Sequence, residues 1–109
     1  MPVLIVERLK STPSSFLPGQ EATLQLLLQS QNEAGEQATI EYRLNPGNDI
    51  VFAENGGKMI AETFDVASVP TLTKRNYALT GPGGKSVTIT GIVLPERLEK
   101  SKEMVTILK

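Results

Sequence analysis

Three residue types with distinctive chemistry are missing from this sequence: cysteine, histidine and tryptophan. Without cysteine, the chain forms no disulfide and offers neither a thiol nucleophile nor a thiolate metal ligand. Without histidine, it lacks the side chain best suited to proton transfer near neutral pH and the commonest ligand of transition metals. We therefore expect a non-catalytic protein that needs no cofactor.

The balance of charge and the absence of long apolar runs argue against two further roles. Lysine and arginine total 11, and aspartate and glutamate total 12, which gives a net charge of −1. Nucleic-acid-binding proteins usually carry a basic surplus, because neutralising phosphates supplies much of their affinity. The longest apolar run, residues 3–6, is far shorter than the ~18 residues that a membrane-spanning helix needs. We expect neither nucleic-acid binding nor membrane insertion.

Apolar side chains recur at every second position rather than with the period of a helix. In residues 21–31 apolar residues alternate with mostly polar ones, and two further alternating runs follow at residues 37–44 and 85–94. This period is typical of strands that bury one face. Leucine and glutamine also suit a helix, but the first run follows Pro18 and Gly19, which favour a turn.

Short clusters of glycine, proline and asparagine separate the strand candidates at fairly even intervals. Seven or eight strands within 109 residues predict a single domain over residues 1–109. Its fold class is all-β, an immunoglobulin-like antiparallel β-sandwich. Residues 58–69 fit this pattern only if Glu62 lies at a sheet edge or beside a bulge, and residues 95–103 form a charged connection.

The first 45 residues contain a series of features in a definite order: Pro13, then Pro18, Gly19 and Gln20 at a turn, then the alternating residues 22–26, then Gln31 with Asn32. This order resembles the CARDB type of bacterial and archaeal immunoglobulin-like modules. The resemblance implies an accessory domain of an extracellular or periplasmic protein, with adhesive, spacing or ligand-presenting duties. The second half departs from that family, since its late Pro-Gly-Gln-Ser-like signal has only a loose counterpart in residues 81–86.

Two places in the sequence are candidates for contact with a partner. Leu4 and Ile5 lie in the apolar run near the N-terminus, and an unpaired apolar strand recruits another strand. Tyr77 closely follows a basic pair that includes Arg75, an arrangement that suits a recognition aromatic flanked by cations. Tyr77 also suits a packing role at a sheet corner with its hydroxyl bonded to the main chain, and we favour this alternative.

Other motifs fit turns or a solvated surface better than chemistry. Asp49, Glu54 and Asp65 lie near predicted turns, but no Asp-x-Asp-x-Asp loop supports a calcium site. The Gly-Gly-Lys-Ser loop that ends at Ser86 lacks the upstream glycine of a phosphate-binding loop and precedes a strand rather than a helix. Catalysis by Ser86 would need a lysine partner, and Lys85, adjacent on the strand, points to the opposite face.

The sequence favours a non-catalytic binding or structural accessory module within a larger cell-surface or secreted protein. Its partner is another protein, or a second copy of the chain, contacted through an edge strand. Two alternatives stay open. A carbohydrate-binding sandwich is weakened by the scarcity of aromatic residues, because sugar rings stack on aromatic faces. A small intracellular or viral structural protein is the other, and there Met1 is the native start.

Self-association through the N-terminal strand predicts a measurable effect of added charge. Replacing Leu4 or Ile5 by lysine places an ammonium group in the strand-to-strand contact, which opposes edge pairing. Size-exclusion chromatography with light scattering is expected to show association of the unaltered chain that weakens in Leu4→Lys and Ile5→Lys. A clean monomer for the unaltered chain would exclude self-association at this strand.

Overall fold

The computed structural model describes residues 3–95 and 97–109, which form ten strands and no helix. A helix able to cross a membrane is accordingly absent from this described part. The seven longer strands are β1 Val3–Thr12, β3 Ala22–Ser30, β4 Glu36–Leu44, β6 Met59–Val66, β7 Thr71–Tyr77, β9 Lys85–Leu94 and β10 Lys100–Ile107. Three strands of two residues complete the order: β2 Ser15–Phe16, β5 Val51–Phe52 and β8 Leu79–Thr80.

The strands form two sheets that face each other across one core. The first sheet has three strands in the order β1-β3-β7, and the second has five in the order β2-β10-β9-β4-β6. β5 and β8 form a separate two-stranded pair. Among the described strands every pair is antiparallel except β2 with β10. The predicted all-β sandwich is confirmed, with seven long strands and three additional short ones.

Apart from the separate pair of β5 and β8, the chain changes sheets between β1 and β2, between β2 and β3, between β3 and β4, between β6 and β7, and between β7 and β9. This path places β1, β3 and β7 on one sheet and β10, β9 and β4 on the other, as in immunoglobulin-like sandwiches. In the constant-type arrangement a fourth strand lies beside the strand that corresponds to β7. No strand within the described residues occupies that place, so β7 is an edge strand.

Alternating side chains of β3, β4 and β9 fill the space between the sheets, as the sequence predicts. The buried hydrophobic residues of these three strands that point inward are Ala22, Leu24, Leu26, Leu28, Ala38, Ile40, Tyr42, Leu44, Val87, Ile89 and Val93. Burying a leucine or isoleucine side chain stabilises the fold by about 1.5–3 kcal/mol relative to leaving it exposed. The period of two therefore decides which face of each sheet meets the other.

β6 continues the alternation with one charged interruption. Ile60 and Val66 are buried and Phe64 packs against the core from a partly buried position. Glu62 occupies the inward position between Ile60 and Phe64. Because β6 is the last strand of the five-stranded sheet, Glu62 lies at a sheet edge, which confirms the expectation for this segment.

The segment 95–103 differs from the predicted connection, because β10 begins at Lys100. Ser101 and Glu103 take the inward positions in the first half of the strand. Their side chains bond to the main chain of β1 rather than packing in the apolar core. Apolar alternation begins only at Val105 and Ile107, which are fully buried. The strand thus starts before the apolar pattern by which it was recognised.

Tyr77 closes one end of the core. Its ring centroid lies 5.8 Å from that of Phe16 and 6.3 Å from that of Phe52, both in edge-to-face geometry. Ser11 Oγ donates to Pro13 O at 2.8 Å, and Tyr77 Oη lies 2.5 Å from the same Oγ, so the Tyr77 hydroxyl donates to Ser11. Burial raises the pKa of Tyr77 to about 12.

Tyr77→Phe tests this buried hydroxyl. The variant keeps the ring and loses the hydrogen bond to Ser11, so its free energy of unfolding at pH 7 should be lower by about 1 kcal/mol. The folded pKa lies above the ordinary value of 10.0. The contribution of the neutral hydroxyl is therefore present below pH 10 and is lost as the pH rises toward 12.

Urea unfolding of both proteins across this alkaline range measures the effect. The unaltered chain should lose stability more steeply between pH 10 and 12 than Tyr77→Phe does, because the variant has one buried phenol fewer. Parallel pH profiles for the two proteins would contradict the assignment.

Candidate interaction site

One side of the sandwich is closed by hydrogen bonds that main-chain N–H groups of one sheet donate to side-chain oxygens of the other. The N–H of Leu9 in β1 donates to Ser101 Oγ of β10 at 2.8 Å. Two residues further, the N–H of Ser11 donates to Glu103 Oε2 at 3.1 Å. These N–H groups are the ones that an incoming strand would need, so the edge of β1 is partly capped.

Leu4 and Ile5 lie on this capped strand, which is an edge strand of the three-stranded sheet. Leu4 is 37% exposed, whereas Ile5 is half-buried and packs against the core. The N–H of Ile5 is directed at Glu99 Oε2, at 3.5 Å. The two side chains therefore point in different directions, and partner contact at both of them stays a prediction.

The opposite side of the sandwich, between β6 and β7, has no comparable closure of its main chain. β7 pairs with β3 through residues 71–77. The main-chain groups of residues 72–75 form no hydrogen bond, within the described ranges, beyond those of the pairing with β3. The outer edge of β7 thus presents free N–H and C=O groups, which are a template for pairing with another strand.

Arg75 of β7 bridges the two sheets at this open side. Its Nη2 lies 2.5 Å from Glu54 Oε1, and its Nε lies 3.0 Å from Glu62 Oε1 of β6. The Nε contact is an ion pair without hydrogen-bond alignment, while Nη1 donates to Asn76 O at 2.8 Å. The side chain of Arg75 is 16% exposed, whereas those of Glu54 and Glu62 are 54% and 43% exposed. The guanidinium is therefore fixed, and its carboxylate partners face solvent.

A buried hydroxyl lies close to this ion pair. Tyr42 of β4 is fully buried, and its burial raises the pKa of Tyr42 well above its usual value, with the Glu62 carboxylate acting in the same direction. Thr73 Oγ1, beside it, donates to Leu26 O at 2.8 Å. Within the described residues Tyr42 Oη has no well-formed hydrogen bond. The open side therefore contains polar groups that the fold itself does not fully pair.

A surface cleft of about 380 Å³ opens beside Arg75. Phe52 and Ile60, both buried, form its apolar part, and the exposed residues Glu21 and Glu54 line it as well. Its volume is at the small end of the range for ligand pockets. The cleft therefore fits a side chain presented by a partner better than a large ligand.

Tyr77, the second candidate on β7, is 5% exposed and belongs to the core. Its hydroxyl is bonded to Ser11 and its ring packs between Phe16 and Phe52. The structure thus brings Arg75 to the open side and places Tyr77 beneath the surface, in the packing role that we favoured for it, although its hydroxyl bonds to the Ser11 side chain and not, as expected, to the main chain. Leu4 and Ile5 lie on the other edge of the same sheet.

The acidic residues considered for calcium do not converge. Glu54 pairs with Arg75, and Asp65 accepts a hydrogen bond from Gln37 Nε2 at 3.2 Å. Asp49 is exposed in the loop before β5. Across residues 3–95 and 97–109, no three or more aspartate, glutamate, histidine or cysteine side chains are grouped so as to hold a metal ion.

Sequence reasoning found Arg75 but missed the carboxylates that hold it. Glu54 is 21 residues away in the chain and comes from the loop after β5, so no spacing rule connects it to Arg75. The one signal was Glu62 itself. A carboxylate at an inward position of an edge strand either reaches solvent or attracts a cation from the facing sheet, and Glu62, which is 43% exposed, does both.

Because the Leu9 N–H is capped by Ser101, its amide should exchange slowly with solvent in the protein without any partner. Ser101→Ala removes the acceptor of the Leu9 N–H, and the exchange rate of that amide should rise about fivefold, as expected for losing a hydrogen bond of ~1 kcal/mol. Amide exchange followed by NMR measures this rate. Ser86→Ala, a serine on the outer side of β9, is the matched control. Unchanged Leu9 exchange in Ser101→Ala would show that the cap does not protect the edge.

Comparisons with known proteins support the fold. No protein-family model and no curated protein sequence matches the chain. The chain is similar to a solved structure of Pseudomonas fluorescens alkylpurine DNA glycosylase AlkC bound to DNA containing an abasic site analog, with a TM-score of 0.58 and 18% identity. This match covers 95% of the chain and 30% of the glycosylase chain. A structure of the Calx CBD1 domain in its apo form aligns with 94% of this chain and 100% of its own, at a TM-score of 0.48 and 10% identity. The chain thus shares its fold with a portion of a longer protein.

Proposed function

We propose that this chain is a non-catalytic accessory module that binds an extended segment of another protein along the free edge of β7. The contrast between the two edges of the three-stranded sheet carries the proposal. Side chains of β10 accept hydrogen bonds from N–H groups of β1. The outward N–H and C=O groups of residues 72–75 in β7 make no hydrogen bond within the described chain. A strand added at β7 gains main-chain hydrogen bonds, and its alternate side chains supply specificity.

The charges on β7 define the chemistry of the incoming strand. Lys74 is exposed beside Arg75. Antiparallel pairing of two β7 strands in a register centred on residues 74 and 75 would bring these cations from both copies together, and like charges on facing strands are destabilising. The incoming segment therefore comes from a different protein and carries carboxylates. Glu54, the more exposed partner of Arg75, can turn away and leave the guanidinium to a carboxylate of that segment.

The distribution of aromatic side chains favours protein binding over carbohydrate binding. All five aromatic residues lie in the described part of the chain and none is exposed: Phe16, Tyr42, Phe52 and Tyr77 are buried, and Phe64 is partly buried. Sugar recognition usually employs an exposed ring. The lack of histidine and cysteine supports a non-catalytic role on independent grounds.

A place within a larger protein is part of the proposal. The CARDB-like order of features in the first 45 residues supports a module of a cell-surface or secreted protein. The similarity to 30% of a longer chain supports use of this fold as one part of a multi-part protein. A small intracellular or viral structural protein would use the same edge of β7.

Site-specific photo-cross-linking tests the proposed edge. Benzoylphenylalanine is introduced in place of Lys74 on β7 or Lys10 on β1, within the protein as the source organism makes it. Both positions are exposed and both are paired with Gln25, from opposite sides, so they differ chiefly in the capping of their edges. A partner protein should be cross-linked at position 74 and not at position 10.

Charge reversal provides the matched control for this experiment. Lys74→Glu should weaken capture of the partner about fivefold or more, because it places a carboxylate against an acidic segment. Lys10→Glu makes the same change at the capped edge and should leave capture unaltered. Equal cross-linking at both positions, or no cross-link at position 74, would contradict the proposal.

A further inference from the structure

The outer face of the five-stranded sheet is a surface separate from the open side, and it concentrates positive charge. Two rows of side chains cross this sheet in register from β10 to β6. The first row is Lys102, Thr90, Arg43 and Met59, and the second is Lys100, Ile92, Glu41 and Ala61. We call these eight residues, together with Arg97 and Met104, the outer basic face.

The cations of the outer basic face are exposed while its carboxylate is shielded. Glu41 is 12% exposed and is paired with Arg43 at 2.8 Å and with Arg97 at 3.9 Å. The side chains of Arg43 and Arg97 are 46% and 56% exposed. Lys102 lies two strands from Arg43, about 10 Å away at the usual strand spacing. Among the described residues of the outer basic face, one shielded carboxylate faces four cations, so these residues present a net positive charge to a partner.

Apolar and already-paired polar groups lie between these charges. Met59 is 41% exposed and Met104 is 63% exposed, and both are flexible side chains that adapt to a contacting surface. Nearby hydroxyls bond to each other, Thr39 with Thr63 at 2.8 Å and Ser86 with Thr106 at 3.0 Å. Covering hydroxyls that already have partners costs less than covering free ones. Methionine and arginine are also enriched at protein interfaces.

We propose that the outer basic face docks an acidic surface of another protein. The carboxylates of that partner pair with Arg43, Arg97, Lys100 and Lys102, and its apolar side chains cover the two methionines. Away from this face the chain carries more carboxylates than cations, given its net charge of −1. Charge complementarity thus directs an acidic partner to this one surface.

Two other occupants fit the observations less well. A nucleic acid gains affinity from aromatic stacking and from many phosphate contacts, but every aromatic ring of this chain is buried or partly buried and the remaining surface repels phosphates. A second copy docked face to face would bring the four cations of each copy together. An acidic protein surface provides both carboxylates to pair with the four cations and apolar side chains to cover the two methionines.

The test uses a twelve-residue synthetic peptide made of two Glu-Glu-Leu-Glu-Glu-Leu units and, separately, a twelve-base-pair DNA duplex. NMR chemical-shift changes locate the binding of each. The peptide should shift the amides of residues 88–92 and 100–104. Combining Lys100→Glu with Lys102→Glu should weaken its binding about tenfold, as two lost exposed ion pairs predict. The milder pair Lys100→Gln and Lys102→Gln serves if the reversed charges impair folding.

Lys10→Glu combined with Lys109→Glu is the matched control, because both lysines are exposed and lie outside the outer basic face, so the net charge changes equally and peptide affinity should alter less than twofold. Tighter binding of the DNA duplex than of the peptide at this face would overturn the proposal in favour of nucleic acid. Peptide shifts confined to β7 would overturn it while leaving the proposed function intact. Equal losses in both charge-reversed variants, or no shifts at millimolar peptide, would also overturn it.

Discussion

A two-sheet sandwich satisfies the main chain of its inner strands by pairing, but its outermost strands must find other partners for half of their N–H and C=O groups. This chain meets that requirement differently on its two sides. Beside β1, the inward side chains of Ser101 and Glu103 accept hydrogen bonds from N–H groups of β1 that its pairing with β3 leaves free. Beside β7, the ion pair of Arg75 with Glu62 joins the sheets through side chains and leaves the main chain of β7 uncovered. The asymmetry of the molecule follows from this difference.

The local part of the fold could be predicted because alternation is a property of neighbouring residues. Leu24, Leu26 and Ile40 are buried because each of their strands has one side that faces solvent and one that faces the core. This alternation can be read from consecutive residues. Glu62 could be placed at an edge for the same reason, since a carboxylate on a dry face must reach solvent or a cation. The turns after Pro18 and at Asn32 follow from residues that favour them.

What the sequence could not predict depends on contacts between distant residues. The start of β10 was missed because Ser101 and Glu103 occupy inward positions, and their partners, the N–H groups of Leu9 and Ser11, lie at the other end of the chain. The carboxylate neighbours of Arg75 were missed for the same reason. The outer basic face exists only once β10, β9 and β4 are aligned, because Lys102 and Arg43 belong to strands that are far apart in sequence.

The passage of the N-terminal segment from one sheet to the other has a mechanical consequence. β1 belongs to the three-stranded sheet and β2 to the five-stranded sheet, where it runs parallel to β10. Thr106 N donates to Ser14 O at 2.9 Å and Leu108 N donates to Phe16 O at 2.8 Å. Tension that enters through β1 and leaves after β10 slides these two parallel strands past each other, so their hydrogen bonds lie across the pulling direction and are loaded together in shear. A hairpin pulled open at its ends would instead lose its bonds one at a time.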